Sequence, residues 1–272
     1  FLLSHTKEGS SDQKTFRSGS EGYSLILPKD RSLMIDKDEI QETQINVEVR
    51  NKGAYPERFE HAGLFTGPDL FINAYIWLGG FDPKITKAEF QGNTLIDETT
   101  HVPIIISHED QALGGKSQLN PKGGKNIFPV TFTTEGALVQ DTLDKYKPKV
   151  SGVILYNYKT IATPALCIDP NPSNTNQREK ACTTKKTTTL EDQGAPVAIK
   201  AIGQRVASTI IQFRIDIEHV GTGKIVDHEI VDETKNPFIE GINRIESNKV
   251  ELESILLGIE ELDCGFDDNL FT

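Results

Sequence analysis

Several short motifs in this 272-residue chain contain residue types that enzymes use, and each lacks a part that the chemistry requires. Gly115-Lys116-Ser117 resembles the end of a phosphate-binding loop, but Asp110 stands where that loop needs a glycine. Residues 221–226 (GTGKIV) lack the third glycine of a dinucleotide-binding fingerprint. His108-Glu109 has no second histidine to complete a zinc site. The sequence therefore predicts a protein that is not an enzyme and has no catalytic residues.

Two acidic clusters are the candidate metal sites. The carboxylates are Asp36, Asp38 and Glu39 in one cluster and Asp263, Asp267 and Asp268 in the other. Ca²⁺ binds about six to eight oxygen ligands, and clustered carboxylates supply them, although neither cluster has the spacing of an EF-hand loop. Bound calcium is one hypothesis, solvated turns are the alternative, and no other cofactor is predicted.

The three cysteines suggest one disulfide and one leftover thiol. Cys167 and Cys182 enclose 14 residues rich in Pro, Asn and charge, which are unable to pack a core by themselves. A disulfide explains this loop, with a thiol pair in a reducing cell as the alternative, and closing such a loop is worth about 3 kcal/mol. The leftover Cys264 has no partner predicted from the sequence.

The charge of the chain is concentrated at one end. Residues 226–272 hold 13 acidic and 3 basic residues and so carry −10 of the net charge of −11. This balance disfavours nucleic acid as a partner, because phosphate contacts need a basic surface. The exit of the cysteine loop is basic instead, through Arg178, Lys180, Lys185 and Lys186. If identical subunits stack head to tail, the basic surface of one attracts the acidic surface of the next, and the contact propagates a filament. The alternative is that both surfaces are simply solvated.

Residues 1–22 form a predicted N-terminal arm. Residues 4–22 are polar and rich in Ser and Gly, with Phe16 as the only large apolar residue. We expect such an arm to lie along another surface, with Phe1, Leu2, Leu3 and Phe16 as candidate subunit contacts. The start lacks an initiator Met, so we interpret it as a processed or truncated end, and a membrane contact would need a segment not present in this chain.

The rest of the chain is patterned as antiparallel β-structure. In residues 44–53, Ile45, Val47 and Val49 alternate with polar residues, as in a half-buried strand. Further strands are predicted at residues 23–27, 70–78, 85–90, 102–107, 127–133, 150–159, 194–200, 210–221 and 250–262. Residues 112–126 form a predicted loop, and residues 135–147 a predicted short helix. This pattern predicts an all-β sandwich fold.

An internal repeat suggests two similar domains. Residues 45–53 (INVEVRNKG) align without gaps to residues 213–221 (FRIDIEHVG), matching the apolar positions, the central acid (Glu48, Asp216) and the last glycine. We therefore predict a first β-sandwich domain at 23–168, a disulfide-closed junction at 169–193 and a second β-sandwich domain at 194–272. Chance similarity between alternating strands is the alternative.

The two repeated strands resemble the signature strand of CARDB-type and related immunoglobulin-like modules of secreted archaeal and bacterial surface proteins. The stretch from Tyr156 to the Ala181-Cys182 pair, followed by GAPVAIKAI at 194–202, is similar to uncharacterised archaeal surface proteins with tandem immunoglobulin-like domains. The resemblance covers residues 44–53 and 156–264. It implies two tandem immunoglobulin-like domains and an extracellular location at the cell surface, and it contributes no catalytic residues.

Together these features predict an extracellular structural protein that self-associates as a subunit of a filament, pilus-like fibre or surface layer. The expected mechanism is addition of the N-terminal arm as a strand to a neighbour's open sheet edge. The alternative function is an adhesin or carbohydrate-binding module, with aromatic contacts at Tyr55, Phe59, Trp77 and Phe81. Those aromatic residues are also typical of a β-sandwich core.

Overall fold

A computed structural model of the chain describes most of its residues. The description covers residue 16 and residues 18–36, 39–55, 74–106, 113–117, 120–136, 145–169, 180, 182–207, 210–227, 231–241, 249–262 and 270–271. In this part of the chain, no helix has the length and apolar character that crossing a membrane takes.

The described elements are nearly all strands. In chain order they are β1 (Tyr23–Ile26), β2 (Ile35–Asp36), β3 (Ile40–Asn51), β4 (Ala74–Gly79), β5 (Thr86–Phe90), β6 (Asn93–Ile96), β7 (Ile104–Ile106), β8 (Lys125–Glu135), β9 (Lys145–Tyr146), β10 (Ser151–Tyr156), β11 (Thr187–Thr189), β12 (Val197–Ala207), β13 (Ile210–His219), helix α1 (Pro237–Glu240), β14 (Val250–Glu251), β15 (Leu256–Leu257), β16 (Glu260–Glu261) and β17 (Leu270–Phe271).

The first part of the chain forms two antiparallel sheets around one core. One sheet has the order β1-β3-β8-β5-β6, and the other has the order β10-β4-β7. The inward residues of both sheets join a single apolar cluster, in which Val47, Val130 and Phe132 are fully buried. The all-β sandwich predicted from the alternating pattern is therefore confirmed.

Strand β4 is the most deeply buried strand because both of its faces are covered. Ile76 and Leu78 face the sandwich core, and Trp77, on the opposite face, packs with Leu155 and Val231. The ring of Phe238 in α1 closes over the same side, against Gly79. This explains why residues 74–78 (AYIWL) are apolar on both faces instead of alternating with polar residues. Residues 70–73 of the predicted strand lie outside the described part.

A third antiparallel sheet, β11-β12-β13, follows the disulfide. Cys167 and Cys182 are bonded as predicted, with their Cα atoms 5.9 Å apart. Gln204 on β12 connects this segment to the sheet, because its Nε2 donates to the carbonyl oxygens of Cys167 and Lys185, both at 2.8 Å. The ends of the disulfide-closed segment are thus attached to the third sheet through Gln204.

Two sequence predictions differ from the structure. Residues 145 and 146, predicted at the end of a helix, form strand β9, because Tyr146 pairs with the fully buried Ile35 of β2. Residues 137–144 of that predicted helix lie outside the described part. The pattern of residues 250–262 favours one strand, with a helix as the alternative, but these residues form the short strands β14, β15 and β16. Gly258, whose φ is +70°, separates β15 from β16.

The two copies of the proposed repeat occupy different positions in their sheets. Strand β3 lies between β1 and β8, and Val47 and Val49 are fully buried. Strand β13 pairs only with β12 among the described strands, and its matching Ile215 and Ile217 are half-buried. Both copies are strands, as predicted, but the tandem arrangement of two immunoglobulin-like domains stays a prediction.

The glycine-rich loop predicted before β8 packs its backbone directly on the end of β3. Gly124 accepts a hydrogen bond from the Asn51 N–H at 2.9 Å and donates to Gly114 at 2.7 Å. A Cβ atom on Gly123, whose φ is +74°, would overlap the carbonyl oxygen of Asn51. A Cβ atom on Gly115 would likewise overlap the backbone of Ala54. The glycines therefore allow two backbones to approach, which explains the glycine of the Gly115-Lys116-Ser117 motif.

Gly123→Ala is expected to destabilise the fold more than Gly92→Ala, a matched control. Both glycines have positive φ values, +74° and +79°, but a Cβ at Gly92 meets nothing within 4 Å. The control should lose about 1 kcal/mol from backbone strain alone, and Gly123→Ala at least about 2 kcal/mol. Urea unfolding of both variants measures the difference, and equal losses would contradict the packing described for this loop.

Candidate functional site

The buried side chain of Asn51 joins four segments at the end of β3. Its Nδ2 donates to the carbonyl oxygens of Tyr55 at 2.8 Å and Leu113 at 2.7 Å. Its Oδ1 accepts from the Gly53 N–H at 3.0 Å and from the Tyr158 hydroxyl at 3.2 Å. Asn51 is fully buried, and these four bonds use its whole hydrogen-bonding capacity. We call these residues the Asn51 node.

The node reaches the third sheet through Tyr158. The Tyr158 hydroxyl accepts from the Tyr55 N–H at 3.1 Å and lies 3.4 Å from the carbonyl oxygen of Gly194. That same oxygen accepts from the Ala54 N–H at 2.7 Å. Gly194 precedes β12, so the node couples the end of β3 to the start of the third sheet.

Four tyrosine rings pack edge to face beside the node, and we call them the tyrosine cluster: Tyr23, Tyr55, Tyr156 and Tyr158. The ring centroids are 5.2 Å apart for Tyr23 and Tyr156 and 5.9 Å apart for Tyr156 and Tyr158, both near perpendicular. Burial raises the pKa of Tyr156 to about 12, and it raises the pKa values of Tyr23 and Tyr158 further. Tyr23, Tyr156 and Tyr158 therefore keep their protons to a higher pH than a solvent-exposed tyrosine does.

A cleft of about 640 Å³ lies between the tyrosine cluster and the later strands. Tyr156 and Tyr158 line one wall, and residues of the β12 start, the β13 end and β14 line the other. Several of its polar groups are engaged with one another. The Thr160 hydroxyl donates to the Val197 carbonyl oxygen at 2.6 Å, and Lys159 forms an ion pair with Glu253. This is the chemistry of an interface between parts of the chain.

The structure describes only part of the two predicted acidic clusters. Asp36 lies 3.3 Å from the ammonium group of Lys145, and a Glu39 carboxylate oxygen accepts from Gln41. Asp38, Asp263, Asp267 and Asp268 lie outside the described residues. Among the residues that are described, no three His, Cys, Asp or Glu side chains are close enough to hold a metal ion. The calcium hypothesis stays a prediction.

Of the predicted basic contact residues, Lys180 has a partner inside the chain. Its ammonium group lies 2.7 Å from the Asp169 carboxylate, and both side chains are half-buried or more. Lys185 and Lys186 are exposed, and Arg178 lies outside the described residues. Among the described residues, Lys185 and Lys186 are therefore the remaining candidates for the proposed head-to-tail contact.

The described end of the N-terminal arm lies on its own chain. Gly22 accepts a hydrogen bond from the Lys52 N–H at 2.9 Å, and the Lys116 ammonium group donates to the Ser18 carbonyl oxygen at 3.3 Å. Phe16 is half-buried, and the candidate contacts Phe1, Leu2 and Leu3 lie outside the described residues. Residues 18–22 are therefore part of the folded body.

The aromatic residues proposed for carbohydrate binding belong to the core. Trp77 is 1% exposed and Tyr55 is 7% exposed. Phe81 packs against Phe132 with ring centroids 5.5 Å apart. Phe59 lies outside the described residues. Tyr55 and Phe81 belong to or pack against the sandwich core, and Trp77 is buried on the other face of β4 with Leu155 and Val231. The three described members therefore form no exposed binding platform.

The outer edge of β13 is the longest open sheet edge in the described part of the chain. The Gln204 N–H donates to Lys186, towards β11, so the polar backbone groups of Gln204 point away from β13. Its register partner, Phe213, therefore directs its own N–H and C=O outward. By alternation, Ile211 and Ile215 do the same. This edge offers backbone hydrogen bonds to another strand.

The alternating pattern predicts β13 as a strand, but its open edge was not predicted. Strand order decides which strand is an edge, and local sequence does not contain that order. The opposite charges of Arg214 and Asp216, which are bonded to each other at 3.1 Å, become informative only once β13 is known to be an edge.

Asn51→Ala is expected to lower the free energy of unfolding by about 3 kcal/mol, because it leaves buried donors and acceptors at Gly53, Tyr55 and Leu113 without partners. The matched control is Asn46→Ala on the same strand, where the side chain is exposed and a loss of about 0.5 kcal/mol or less is expected. Chemical denaturation compares the two. Similar losses would show that the node does not stabilise the fold as described.

The tyrosine cluster predicts a loss of stability at alkaline pH. Tyrosines of the unfolded chain lose their protons near pH 10, whereas Tyr156 in the folded protein keeps its proton until pH about 12. The folded state thus binds more protons than the unfolded state in this window, and its stability falls as pH rises. The fall is about 1.4 kcal/mol per pH unit for each tyrosine held neutral.

The measurement is urea unfolding at a series of pH values from neutral to strongly alkaline. Tyr156→Phe removes one titrating group, and its stability should fall less steeply than that of the unmodified chain. Identical slopes would rule out Tyr156 as a contributor.

Comparisons with known proteins add no relationship: no family model, no curated protein and no solved structure matches this chain.

Proposed function

We propose that the chain is a non-enzymatic extracellular structural protein, a subunit of a cell-surface filament, pilus-like fibre or surface layer. The observation that carries this proposal is the set of open strand edges. In the described part of the chain, β7 and β13 each end a three-stranded sheet and pair on one side only. An open edge of backbone donors and acceptors is a template for a strand from another molecule.

Exposed apolar side chains accompany these edges. Ile105 of β7 is 48% exposed with Val102 nearby at 44%, and Ile210 of β13 is 63% exposed. Exposed apolar side chains at an open edge do not stabilise a monomer, whereas a strand added at that edge would bury part of their surface. The edges therefore combine hydrogen-bonding capacity with apolar surface, as strand addition requires.

The disulfide supports an extracellular location. The Cys167–Cys182 bond closes a polar segment that is attached to the third sheet through Gln204. Disulfides of this structural kind persist in oxidising compartments and are rare in reducing ones. The resemblance to archaeal surface proteins with tandem immunoglobulin-like domains, described above, points to the same location.

The N-terminal arm is the proposed donor strand, narrowed to residues 1–15. Residues 18–22 are held on their own chain by the hydrogen bonds of Ser18 and Gly22. A donor must leave its own fold to reach a neighbour, so only the residues before this anchored part are available. A contact of this type is heterologous and extends into a polymer.

Deletion of residues 1–15 is expected to abolish polymers and leave the monomer folded. Residues 18–22 and their hydrogen bonds remain. The midpoint of thermal unfolding should therefore change no more than it does for an ordinary surface substitution. Electron microscopy and light scattering measure polymers of the full chain and of the deletion variant.

The matched control keeps the length of the arm and replaces Phe1, Leu2 and Leu3 with serine. Loss of polymers in this control assigns the contact to the apolar head, whereas polymers with the control but not with the deletion assign it to residues 4–15. The proposal would be contradicted if the full chain formed no polymers or if the deletion variant polymerised normally.

A further inference from the structure

We infer that the outer edge of β13 binds a second copy of itself, antiparallel, with a two-fold axis through Ile215. This inference rests on the proposed self-association and names the contact that joins one pair of subunits. The two chains would form one continuous six-stranded sheet, β11-β12-β13 followed by the same strands of the partner in reverse order. It leaves the edge of β7 open to the arm.

The backbone of β13 supplies the hydrogen-bonding groups that pairing with a second strand requires. Ile211, Phe213 and Ile215 direct their N–H and C=O groups outward, as the register with β12 shows. His219 does so as well, because the Val220 N–H bonds inward to Pro196. With Ile215 opposite its own copy, outward-facing residues meet outward-facing residues along the whole strand, giving about ten backbone hydrogen bonds between the copies.

The side chains supply the register. On the exposed face of β13, Gln212, Arg214, Asp216 and Glu218 follow one another, and the side chain of Arg214 is 75% exposed. A two-fold axis at Arg214 places two arginines opposite each other. An axis at Asp216 sets Arg214 against Glu218 twice but places two aspartates opposite each other at the centre. An axis at Ile217 sets Asp216 against Glu218. Like charges directly opposite on neighbouring strands are destabilising.

The axis at Ile215 is the register that removes these conflicts and adds attraction. It sets Arg214 of each copy opposite Asp216 of the other, so two ion pairs form. These are positions without backbone bonds between them, where opposite side chains approach most closely. An axis at Phe213 has no conflict of this kind, but it sets Arg214 against Gln212 and forms no direct ion pair.

The other face of the strand fits the same register. Phe213 lies opposite Ile217 of the second copy, and Ile215 lies opposite Ile215. These side chains are half-buried in the single chain, so pairing covers apolar surface that remains accessible. Residues 4–15 of the arm contain no large apolar residue and match this face poorly. The second copy of β13 is therefore the better occupant of this edge.

Charge reversal tests the contact. In a pair of Arg214→Asp chains, an aspartate at 214 faces Asp216 of the other chain at both contact positions. In a pair of Asp216→Arg chains, two arginines face each other at both positions. Both side chains point to solvent, so each variant should fold, which circular dichroism checks. Sedimentation velocity of the full chain over a dilution series should show a concentration-dependent dimer whose dissociation constant rises at least about tenfold in each single variant.

Mixing the two single variants is the decisive experiment. In the mixed pair, aspartates of one chain face arginines of the other at both positions, so the heterodimer should form with an affinity near that of the unmodified chain. The mixture restores pairing between chains while leaving the bond between Arg214 and Asp216 within each chain broken. A role of these residues in single-chain stability would therefore give no rescue.

The outcomes separate this contact from the proposed function. Dimers that disappear with each single variant and return in the mixture support the inference, even if the full chain forms no polymers. Polymers that persist while the charge reversals have no effect on association leave the proposed function standing and overturn the inference. So does a dimer that is lost on deletion of residues 1–15 and unaffected by charge reversal, because the occupant of the edge is then the arm.

Discussion

A single buried amide, that of Asn51, holds together segments that are far apart in the sequence. Its donors fix the turn at Tyr55 and the loop at Leu113, and its oxygen holds the Tyr158 hydroxyl 3.2 Å away. An amide that makes all its hydrogen bonds in a dry site is stable, whereas one with a missing partner leaves an unsatisfied group that costs about 1–3 kcal/mol. The surrounding loops therefore have one arrangement that satisfies the node, and the glycines near it allow the backbones to come that close.

The node also determines how the later part of the chain meets the sandwich. Tyr158 follows β10, and its hydroxyl lies near Gly194, which precedes β12. Val231 and Phe238 cover the outer face of β4 through Trp77 and Gly79. The sandwich core and the outer apolar cluster thus share strand β4. A change in one is expected to reach the other through that strand, since β4 has no solvent-exposed face to absorb it.

Alternation in the sequence was sufficient to predict the strands of the sandwich. Val47 and Val49 alternate with polar residues because one face of β3 meets the core, and a period of two has no other common cause. The disulfide also followed from composition, since a loop of Pro, Asn and charge needs an external restraint. The hydrogen bonds of Asn51 were beyond prediction, because an asparagine at the end of a strand looks like ordinary turn chemistry. Its partners lie as far as 107 residues away, and only the assembled fold brings them together.

The side chains of β13 show how an open edge can be both protected and usable. Proteins commonly protect an edge with charged side chains, which discourage strands from pairing indiscriminately. A row of one sign would repel every copy. The mixed charges of β13 instead set like charges opposite each other in the registers centred on Arg214, Asp216 and Ile217, and pair Arg214 with Asp216 without such a conflict in the register centred on Ile215. The apolar residues on the opposite face contribute affinity in any register and so cannot choose among them. Specificity at this edge is therefore electrostatic, while its strength comes from backbone hydrogen bonds and buried apolar surface. That division explains why two charged residues, worth little as exposed ion pairs, can determine which strand the edge accepts.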